Sequence, residues 1–338
     1  MNSIERIKAA SAFAPTDRMP VVPAVLGHAA VLAGVPLRDY LCDGDLLARC
    51  QLQALQHYGY DAVFAFMDLY VEAEAVGSVL QYYEHQYPEI TDYVIAADGA
   101  LDGLITPDPH NSGRMPELLR AASVLRKEVG EQTLVIGAVT GPMTLATQLI
   151  GMEDGIYLAA DDPDRFEQIL DFATEIAIHY GIAQLEAGVH LPMIFDPAAS
   201  SVIVPPRFFA EFLQPRIKRI LTAFHQAGAL LHWLMITGTI DPILKYCAEL
   251  GLDILHVDYD VTPARILQDL PRTCVAGNFR PLSFVTSTPE KITAEVHALA
   301  KLFATRGGLL LSAGCEIPPE AKAENIAALV AAARSHHG

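Results

Sequence analysis

The run that decides the fold is residues 309–319, LLLSAGCEIPP, in which an apolar strand-like segment ends at a lone cysteine on a turn rich in glycine and proline. Seven other apolar or β-branched runs precede it. The eight runs cover residues 20–26, 61–66, 133–139, 190–195, 228–232, 252–257, 273–277 and 308–313. Short apolar runs separated by helical patterns are typical of a buried parallel sheet.

Helix signals lie between these runs. Asp162 followed by Pro163 predicts a helix that continues to Gly188, and Thr288 followed by Pro289 predicts another that continues to Gly307. No glycine-rich phosphate fingerprint follows the first strand, which disfavours a doubly wound sheet. We therefore predict an α/β fold, a (β/α)8 TIM barrel, as a single domain over residues 1–338. Residues 78–112 are too long for a simple connection and predict a hairpin or lid near the barrel mouth.

Composition and charge limit the classes of partner. The chain has 338 residues, 51% of them hydrophobic, yet no stretch of about 18 uninterrupted apolar residues that would predict a membrane span. The formal charge of −17 disfavours nucleic acid and anionic membranes. The first residues do not resemble an export signal, and five cysteines without disulfide-like spacing indicate reduced thiols, so we expect a cytoplasmic protein. A homodimer is left open.

Polar side chains follow nearly every predicted strand. In a TIM barrel the carboxyl ends of the strands converge on one mouth, where reactive groups lie. A mouth with this many acids and ligand-type side chains suits a metal and a small polar substrate. The side chains are His28, Asp68, Glu72, Asp196, His232, Asp258, Asn278 and Cys315.

His232 and Cys315 are the predicted core of a metal site, because both close apolar runs that we interpret as strands. Taken alone, such a histidine is more often a core residue, and a free cysteine is commonly buried and inert. Zinc needs further sulfur, imidazole or carboxylate ligands, and the nearest candidates are Asp196 and Glu211. Pro215 cannot donate to the carbonyl of Glu211, so the helix should bend there and could turn Glu211 toward the mouth.

Several motifs carry a family resemblance. The tail motif at 311–319 with 324–326 (ENI), the turn at 277–281 (GNFRP), residues 195–197 (FDP) and residues 71–75 (VEAEA) resemble the uroporphyrinogen decarboxylase superfamily, and more closely its corrinoid-linked methyltransferase branch. The resemblance covers nearly the whole chain, and the tail motif is its most specific part.

The resemblance implies a zinc site with one mismatch. In methylcobalamin:coenzyme M methyltransferases, zinc is held by a His-x-Cys pair and a distant tail cysteine. His232 and Cys315 match the first and last ligands, but Leu234 stands where the middle cysteine belongs. The chain also resembles the methyltransferase components of O-demethylase systems, whose zinc ligands have the spacing acid-x14-acid-x20-His. Asp196, Glu211 and His232 fall at those intervals.

The resemblance implies zinc-assisted methyl transfer between a corrinoid and a small methyl donor or acceptor, for example a thiol. The corrinoid, such as methylcobalamin, would be carried by a corrinoid-binding partner protein. Asp68, Glu72 and His28 would handle the substrate or its protons; as an alternative, these three residues are strand-end caps and loop acids. Asn278, Arg280 and Asp258 would contact the substrate.

Two other functions stay open. One is decarboxylation of a porphyrinogen, which the absence of arginine from residues 22–34 disfavours because that substrate carries eight carboxylates. The other is a non-catalytic binding barrel, which the loss of a cysteine at Leu234 favours.

Overall fold

The computed structural model describes residues 1–335, which form a curled parallel sheet surrounded by helices. The strands are β1 Ala62–Ala65, β2 Val79–Gln81, β3 Glu89–Asp92, β4 Leu134–Thr140, β5 Leu191–Phe195, β6 Trp233–Met235, β7 Ile254–His256, β8 Cys274–Phe279 and β9 Leu309–Ala313. Seven of them form the parallel sheet in the order β1-β4-β5-β6-β7-β8-β9. The fold is TIM-barrel-like.

The helices alternate with the strands, as the sequence predicts. They are α1 Ser3–Ser11, α2 Gly27–Ala33, α3 Leu37–Cys42, α4 Gly44–Tyr58, α5 Val71–Val76, α6 Met115–Val129, α7 Pro142–Ile150, α8 Met152–Asp161, α9 Pro163–Glu186, α10 Pro206–Phe208, α11 Gln214–Gln226, α12 Leu244–Ala248, α13 Pro263–Asp269, α14 Ser283–Thr286, α15 Pro289–Phe303 and α16 Ala323–Ser335. The two predicted helix starts at Pro163 and Pro289 are confirmed, with Asp162 capping α9 through the backbone N–H of Arg165. Within the described residues no helix is long and apolar enough to cross a membrane.

A short segment lies between the two edge strands of the sheet. The backbone N–H of Val22 donates to Leu311 in β9 at 2.9 Å, and the N–H of Asp61, just before β1, donates to the carbonyl of Val21 at 2.8 Å. Residues 20–22 therefore contact both edges, although only Val21 pairs as an isolated bridge. The predicted first strand over 20–26 is shorter than expected.

Buried side chains form two layers because alternate residues of each strand point to opposite faces. One layer fills the lumen and includes Phe64, Met193 and Trp233. The other packs between the strands and the surrounding helices and includes Val63, Ile194 and Leu234. Because both faces are buried, the strand sequences are largely apolar, and no alternation of polar and apolar residues shows where a strand begins or ends.

Strand β6 begins five residues and ends three residues later than the predicted run 228–232. The run 228–232 leads into the strand instead of forming it, since α11 ends at Gln226 and Gly228 adopts a φ of +91° at the turn that follows. β6 begins at Trp233, so His232 stands at its amino end. The prediction that His232 closes a strand is wrong.

The insertion over residues 78–112 contains a two-stranded antiparallel hairpin, β2 with β3. Tyr87, in its loop, donates a hydrogen bond from its hydroxyl to Glu316 at 2.5 Å, and the backbone N–H of Gly27 donates to the same carboxyl oxygen at 3.0 Å. The tail motif, the start of α2 and the hairpin are therefore joined at one carboxyl group. Burial raises the pKa of Glu316 to about 7.

Candidate functional site

The carboxyl ends of the strands carry the polar groups of the candidate active site, as expected for this architecture. Thr140 ends β4, Asp196 follows β5, His256 ends β7 and Cys315 follows β9. The floor beneath them is the apolar lumen, to which Phe66, Phe195 and Met235 contribute. The site therefore combines a few buried polar atoms with a largely apolar base.

Asp68 is held in an ion-pair network that the sequence analysis missed. Arg114, which precedes α6, contacts both carboxylate oxygens of Asp68 at 2.6 and 3.1 Å, and its Nε lies 2.6 Å from Glu74. Burial alone would lower the pKa of Arg114, but the charges of Asp68 and Glu74 raise it above its ordinary value. The carboxylate predicted to be catalytic is therefore the partner of a buried guanidinium, a role that fixes the loop after β1 to α6.

Glu72 is a buried carboxyl group beside the end of β4 that is suited to carry a proton. Its Oε1 accepts a hydrogen bond from the backbone N–H of Thr140 at 2.7 Å and its Oε2 one from the Thr140 hydroxyl at 3.0 Å. The side chain is buried, and burial raises the pKa of Glu72 to about 7 despite these hydrogen bonds. A carboxyl group at that pKa can gain or lose a proton near neutral pH.

Asp196 binds the first turn of α7 through hydrogen bonds. It accepts hydrogen bonds from the backbone N–H and hydroxyl of Thr144, at 2.8 and 2.7 Å, and from the N–H of Met143 at 3.3 Å. Burial raises the pKa of Asp196. Gly141 approaches so closely that a Cβ there would lie 2.3 Å from the Cβ of Asp196. Asp196 is fully buried and both of its oxygens bind α7, which corrects its prediction as a metal ligand.

His232 and Cys315 lie at opposite ends of the sheet. The backbone N–H of His232 donates to Asp253 at 2.7 Å at the amino end, whereas Cys315 follows the carboxyl end of β9. Through the strand registers, Trp233 is level with residue 308, five residues before Ala313, so the strand positions next to His232 and Cys315 lie about 17 Å apart along the strands. The predicted pair is not brought together, and this prediction is wrong.

Glu211 faces solvent and not the mouth. The backbone at Phe209–Leu213 forms a π-helical turn before Pro215, so the expected irregularity is present. Glu211 is nevertheless half exposed and pairs with Arg207 at 2.8 Å, one turn earlier on the same surface. Its prediction as a zinc ligand is corrected because a solvent-facing ion pair replaces the expected turn toward the mouth.

The side chains present do not fit the implied zinc site. The carboxyl end of β6, where the predicted histidine ligand was expected, carries Met235, Ile236 and Thr237, which offer no imidazole, thiolate or carboxylate. Across residues 1–335 no cluster of three or more histidine, cysteine or acidic side chains could hold a metal ion. Burial raises the pKa of the Cys315 thiol to about 12, so in this environment it is neutral. We derive no step through zinc.

His28 is occupied on both ring nitrogens. Nε2 lies 2.7 Å from the hydroxyl of Tyr58 and Nδ1 lies 2.9 Å from the carbonyl of Pro319. Burial lowers the pKa of His28. The ring fastens the tail motif to α4, which corrects its prediction as a proton-handling group at the mouth.

The three residues predicted to contact the substrate, Asp258, Asn278 and Arg280, interact with neighbouring loops. Asp258 accepts hydrogen bonds from the backbone N–H groups of Gly238 and Tyr259, at 2.8 and 2.7 Å. Asn278 donates to the carbonyl of Val261 at 2.7 Å, and the guanidinium of Arg280 lies 5.5 Å from the ring centre of Tyr259. None of the three side chains lies in the lumen lining, so a role in substrate binding remains a prediction.

A cavity of about 530 Å³ adjoins the mouth below the hairpin. Its walls come from the hairpin, from α7 and from the segment after β5, and they include Tyr93, Thr144, Gln148 and Ala198. Leu69 lines this cavity and also packs against the lumen core, so it lies between the two spaces. The cavity is large enough for a small organic molecule.

The family model for uroporphyrinogen decarboxylase (URO-D) matches residues 2–336, nearly the whole chain. The chain belongs to the uroporphyrinogen decarboxylase family. Within this family it is 31% identical to the methylcobamide:CoM methyltransferase MtaA of Methanosarcina barkeri, over 97% of this chain and 96% of that protein. It is also 30% identical to the uroporphyrinogen decarboxylase of Cereibacter sphaeroides, over 85% of this chain and 84% of that enzyme.

A solved structure agrees with the fold over its full length. The methyltransferase from Methanosarcina mazei superposes with a TM-score of 0.90 at 28% identity, covering 99% of this chain and 98% of that one. A B12-independent methionine synthase from Shewanella shares the fold at a TM-score of 0.59 and 14% identity. Relatives of both kinds in the family, methyltransferases and decarboxylases, are enzymes.

Sequence reasoning missed Arg114, Trp233, His256 and the Tyr87–Glu316 contact. Arg114 lies 46 residues from Asp68, and no local pattern links the two. His256 is the last residue of β7 and could have been found from its place in an apolar run. Trp233 lies just beyond the predicted run 228–232, although β6 begins there.

Proposed function

We propose that this chain is a corrinoid-dependent methyltransferase that moves a methyl group between a corrinoid protein and a small substrate. The observation that carries the proposal is the 31% identity with a methylcobamide:CoM methyltransferase over 97% of the chain. A match over the full length of both proteins favours a shared reaction more than a shared architecture alone would.

The corrinoid would be carried by a separate protein and would supply the cobalt that gives or takes the methyl group. The small substrate would lie at the carboxyl end of the strands, between the apolar lumen and the cavity below the hairpin. Apolar walls there exclude water from the reacting heteroatom, which strengthens the electrostatic interactions within the site. The hairpin would act as a lid over this space.

Glu72 is the proposed proton carrier. When the substrate accepts a methyl group, its heteroatom loses a proton, and a carboxylate with a pKa of about 7 can take that proton at neutral pH. In the reverse direction the protonated carboxyl group returns it. The Thr140 hydroxyl and N–H hold the carboxyl in place.

The remaining aspects of the proposal follow the sequence analysis. We propose that residues 1–338 act as a single cytoplasmic domain with a (β/α)8 arrangement, in which residues 20–22 take the place of the first strand. A homodimer is compatible with this proposal. Nucleic acid is not a proposed partner, because the chain carries 40 acidic against 23 basic residues.

The proposal is tested by following methylcobalamin spectroscopically with the purified protein and a panel of small thiols and alcohols. We expect protein-dependent loss of the methyl–cobalt absorption with at least one acceptor. Glu72→Gln should lower the rate, and its rate should lose the rise with pH around 7 that the wild type shows. No acceleration over buffer with any acceptor, or with a corrinoid protein added, would refute the assignment.

Decarboxylation of a porphyrinogen is the competing function, since the uroporphyrinogen decarboxylase of Cereibacter sphaeroides is 30% identical to the chain. Residues 22–34 contain no arginine, and the lumen lining contains no cation, so a substrate with eight carboxylates has no matching charges there. Uroporphyrinogen incubated with the protein should therefore release no CO2. Measurable decarboxylation would reverse the ranking of the two functions.

A further inference from the structure

The lumen contains buried polar atoms with no hydrogen-bond partner. In the part of the chain that the structure describes, Nε1 of Trp233 and Nδ1 of His256 are both buried and unpaired. Trp233 is 1% and His256 2% exposed, and their ring centres lie 6.1 Å apart. An unpaired buried polar atom is costly, so two of them side by side in one lumen call for an explanation.

The hydrogen bond on the other side of the imidazole fixes which role each atom can play. Nε2 of His256 lies 2.7 Å from the carbonyl oxygen of Ala313, which can only accept, so Nε2 carries the hydrogen and Nδ1 presents a lone pair. Burial lowers the pKa of His256 to about 4, which keeps the ring neutral at physiological pH. The indole N–H of Trp233 can only donate. The pair thus offers one donor and one acceptor.

Both rings line the same small cavity, together with Ala24, Leu26, Phe64, Phe66, Met193, Phe195 and Met235. The space open to the centre of a water-sized sphere is about 10 Å³, which is room for about one water molecule. No lysine or arginine lines it, and an anion placed there would lose its hydration without gaining a partner. The cavity therefore suits a single neutral group that both accepts and donates a hydrogen bond.

We propose that Trp233 and His256 form a subsite for the hydroxyl group of a small neutral alcohol, whose oxygen accepts from Nε1 and donates to Nδ1. Only the hydroxyl group would enter this space, and the apolar part of the ligand would extend from it toward the carboxyl ends of β5 and β6, past Phe195 and Met235. Without the ligand, the same place would hold one water molecule. That this alcohol is the methyl-transfer substrate rests on the proposed function, whereas the subsite itself rests only on the cavity and its two unpaired atoms.

Trp233 is the single tryptophan of the chain, so its fluorescence reports on this cavity alone. The protein would be titrated with ethanol, ethyl methyl ether and ethanesulfonate. We expect a saturable change in emission with ethanol. The ether, which cannot donate to Nδ1, should bind about tenfold more weakly, and ethanesulfonate should give no saturable change. Equal binding of the ether, or saturable binding of the sulfonate, would overturn the proposal.

Variants separate the subsite from general solvent effects. His256→Phe keeps an aromatic ring but removes the acceptor and should weaken ethanol binding about tenfold, to the level of the ether. His85→Gln, at an exposed histidine in the hairpin loop, is the matched control and should bind as the wild type does. Unchanged ethanol binding by a folded His256→Phe variant contradicts the assignment.

A second measurement does not depend on that variant folding. In ¹⁵N-histidine-labelled wild type, the unprotonated Nδ1 resonance of His256 should shift on saturation with ethanol, while Nε2 stays protonated. An unchanged Nδ1 resonance would overturn the subsite. None of these measurements uses a corrinoid, so failed methyl transfer with intact ethanol binding removes only the proposed function, and the converse result removes only the subsite.

Discussion

Replacing Arg114 by methionine should destabilise the protein strongly, because it leaves a buried carboxylate without its partner. Asp68 is 4% exposed and receives two hydrogen bonds from this guanidinium, and Glu74 receives a third. Methionine keeps much of the side-chain volume, so the loss is mainly one of charge. Removing one member of a buried ion pair typically costs about 3–5 kcal/mol, a large part of the total stability of about 5–15 kcal/mol.

The measurement is urea unfolding followed by circular dichroism. For a slope of about 2–3 kcal/mol per molar, the midpoint should fall by about 1–2 M. Arg120→Met is the matched control, since Arg120 lies in α6, the helix that Arg114 precedes, and pairs with Asp45 at the exposed surface; its midpoint should stay at the wild-type value. The Asp68→Asn, Arg114→Met double variant should be less destabilised than the sum of the two single changes.

A result in which Arg114→Met shifts the midpoint no more than Arg120→Met would refute the assignment of Asp68 to a structural ion pair. The activity of Asp68→Asn then separates the two roles of this carboxylate. A structural partner predicts that activity and stability fall together. A catalytic acid predicts loss of turnover in a protein of normal stability.

Three further predictions concern other parts of the site. Because the folded pKa of Glu72 is about 7 against an ordinary 4.5, folding takes up a proton between those values, so wild-type stability should fall relative to Glu72→Gln as pH rises from about 4.5 to about 7; parallel urea midpoints would contradict this. Tyr87→Phe removes the hydrogen bond to Glu316 and should speed amide exchange in the hairpin, and unchanged exchange would mean that the contact is not holding it. Elemental analysis of wild type, His232→Ala and Cys315→Ser should give the same substoichiometric zinc, whereas one zinc per chain, lost in either variant, would restore the metal site.

Much of the fold could be predicted from apolar runs and helix starts. β4, β5, β8 and β9 lie within a few residues of the runs that predict them, and the Asp162–Pro163 pair starts α9 as expected. β6 could not be placed in this way. Residues 229–236 are apolar except for His232, and in a strand buried on both faces nothing local marks the end. The register is determined by pairing with both neighbouring strands, Leu234 with Ile194 and Trp233 with Ile254.

The carboxyl end of β6 lies three residues later than predicted, and this displacement explains why the site was predicted less well than the fold. A strand moved from 228–232 to 233–235 transfers His232 from the carboxyl end to the amino end, and the predicted zinc pair is lost with it. Asp68 and Asp196 were placed correctly at strand ends, but their partners Arg114 and Thr144 come from distant helices. Sequence spacing predicts the position of a side chain in the fold but not its hydrogen-bond or ion-pair partner.

The contacts of residues 20–22 with β1 and β9 have a consequence for the order in which the molecule assembles. Val21 pairs with Leu311, which is made 290 residues later, so this joint cannot form until residue 311 has left the ribosome. Until then the leading segment has a neighbour on one flank only, next to Asp61. Such distant pairings are slow to form, and the closing of this joint should be among the last events in maturation.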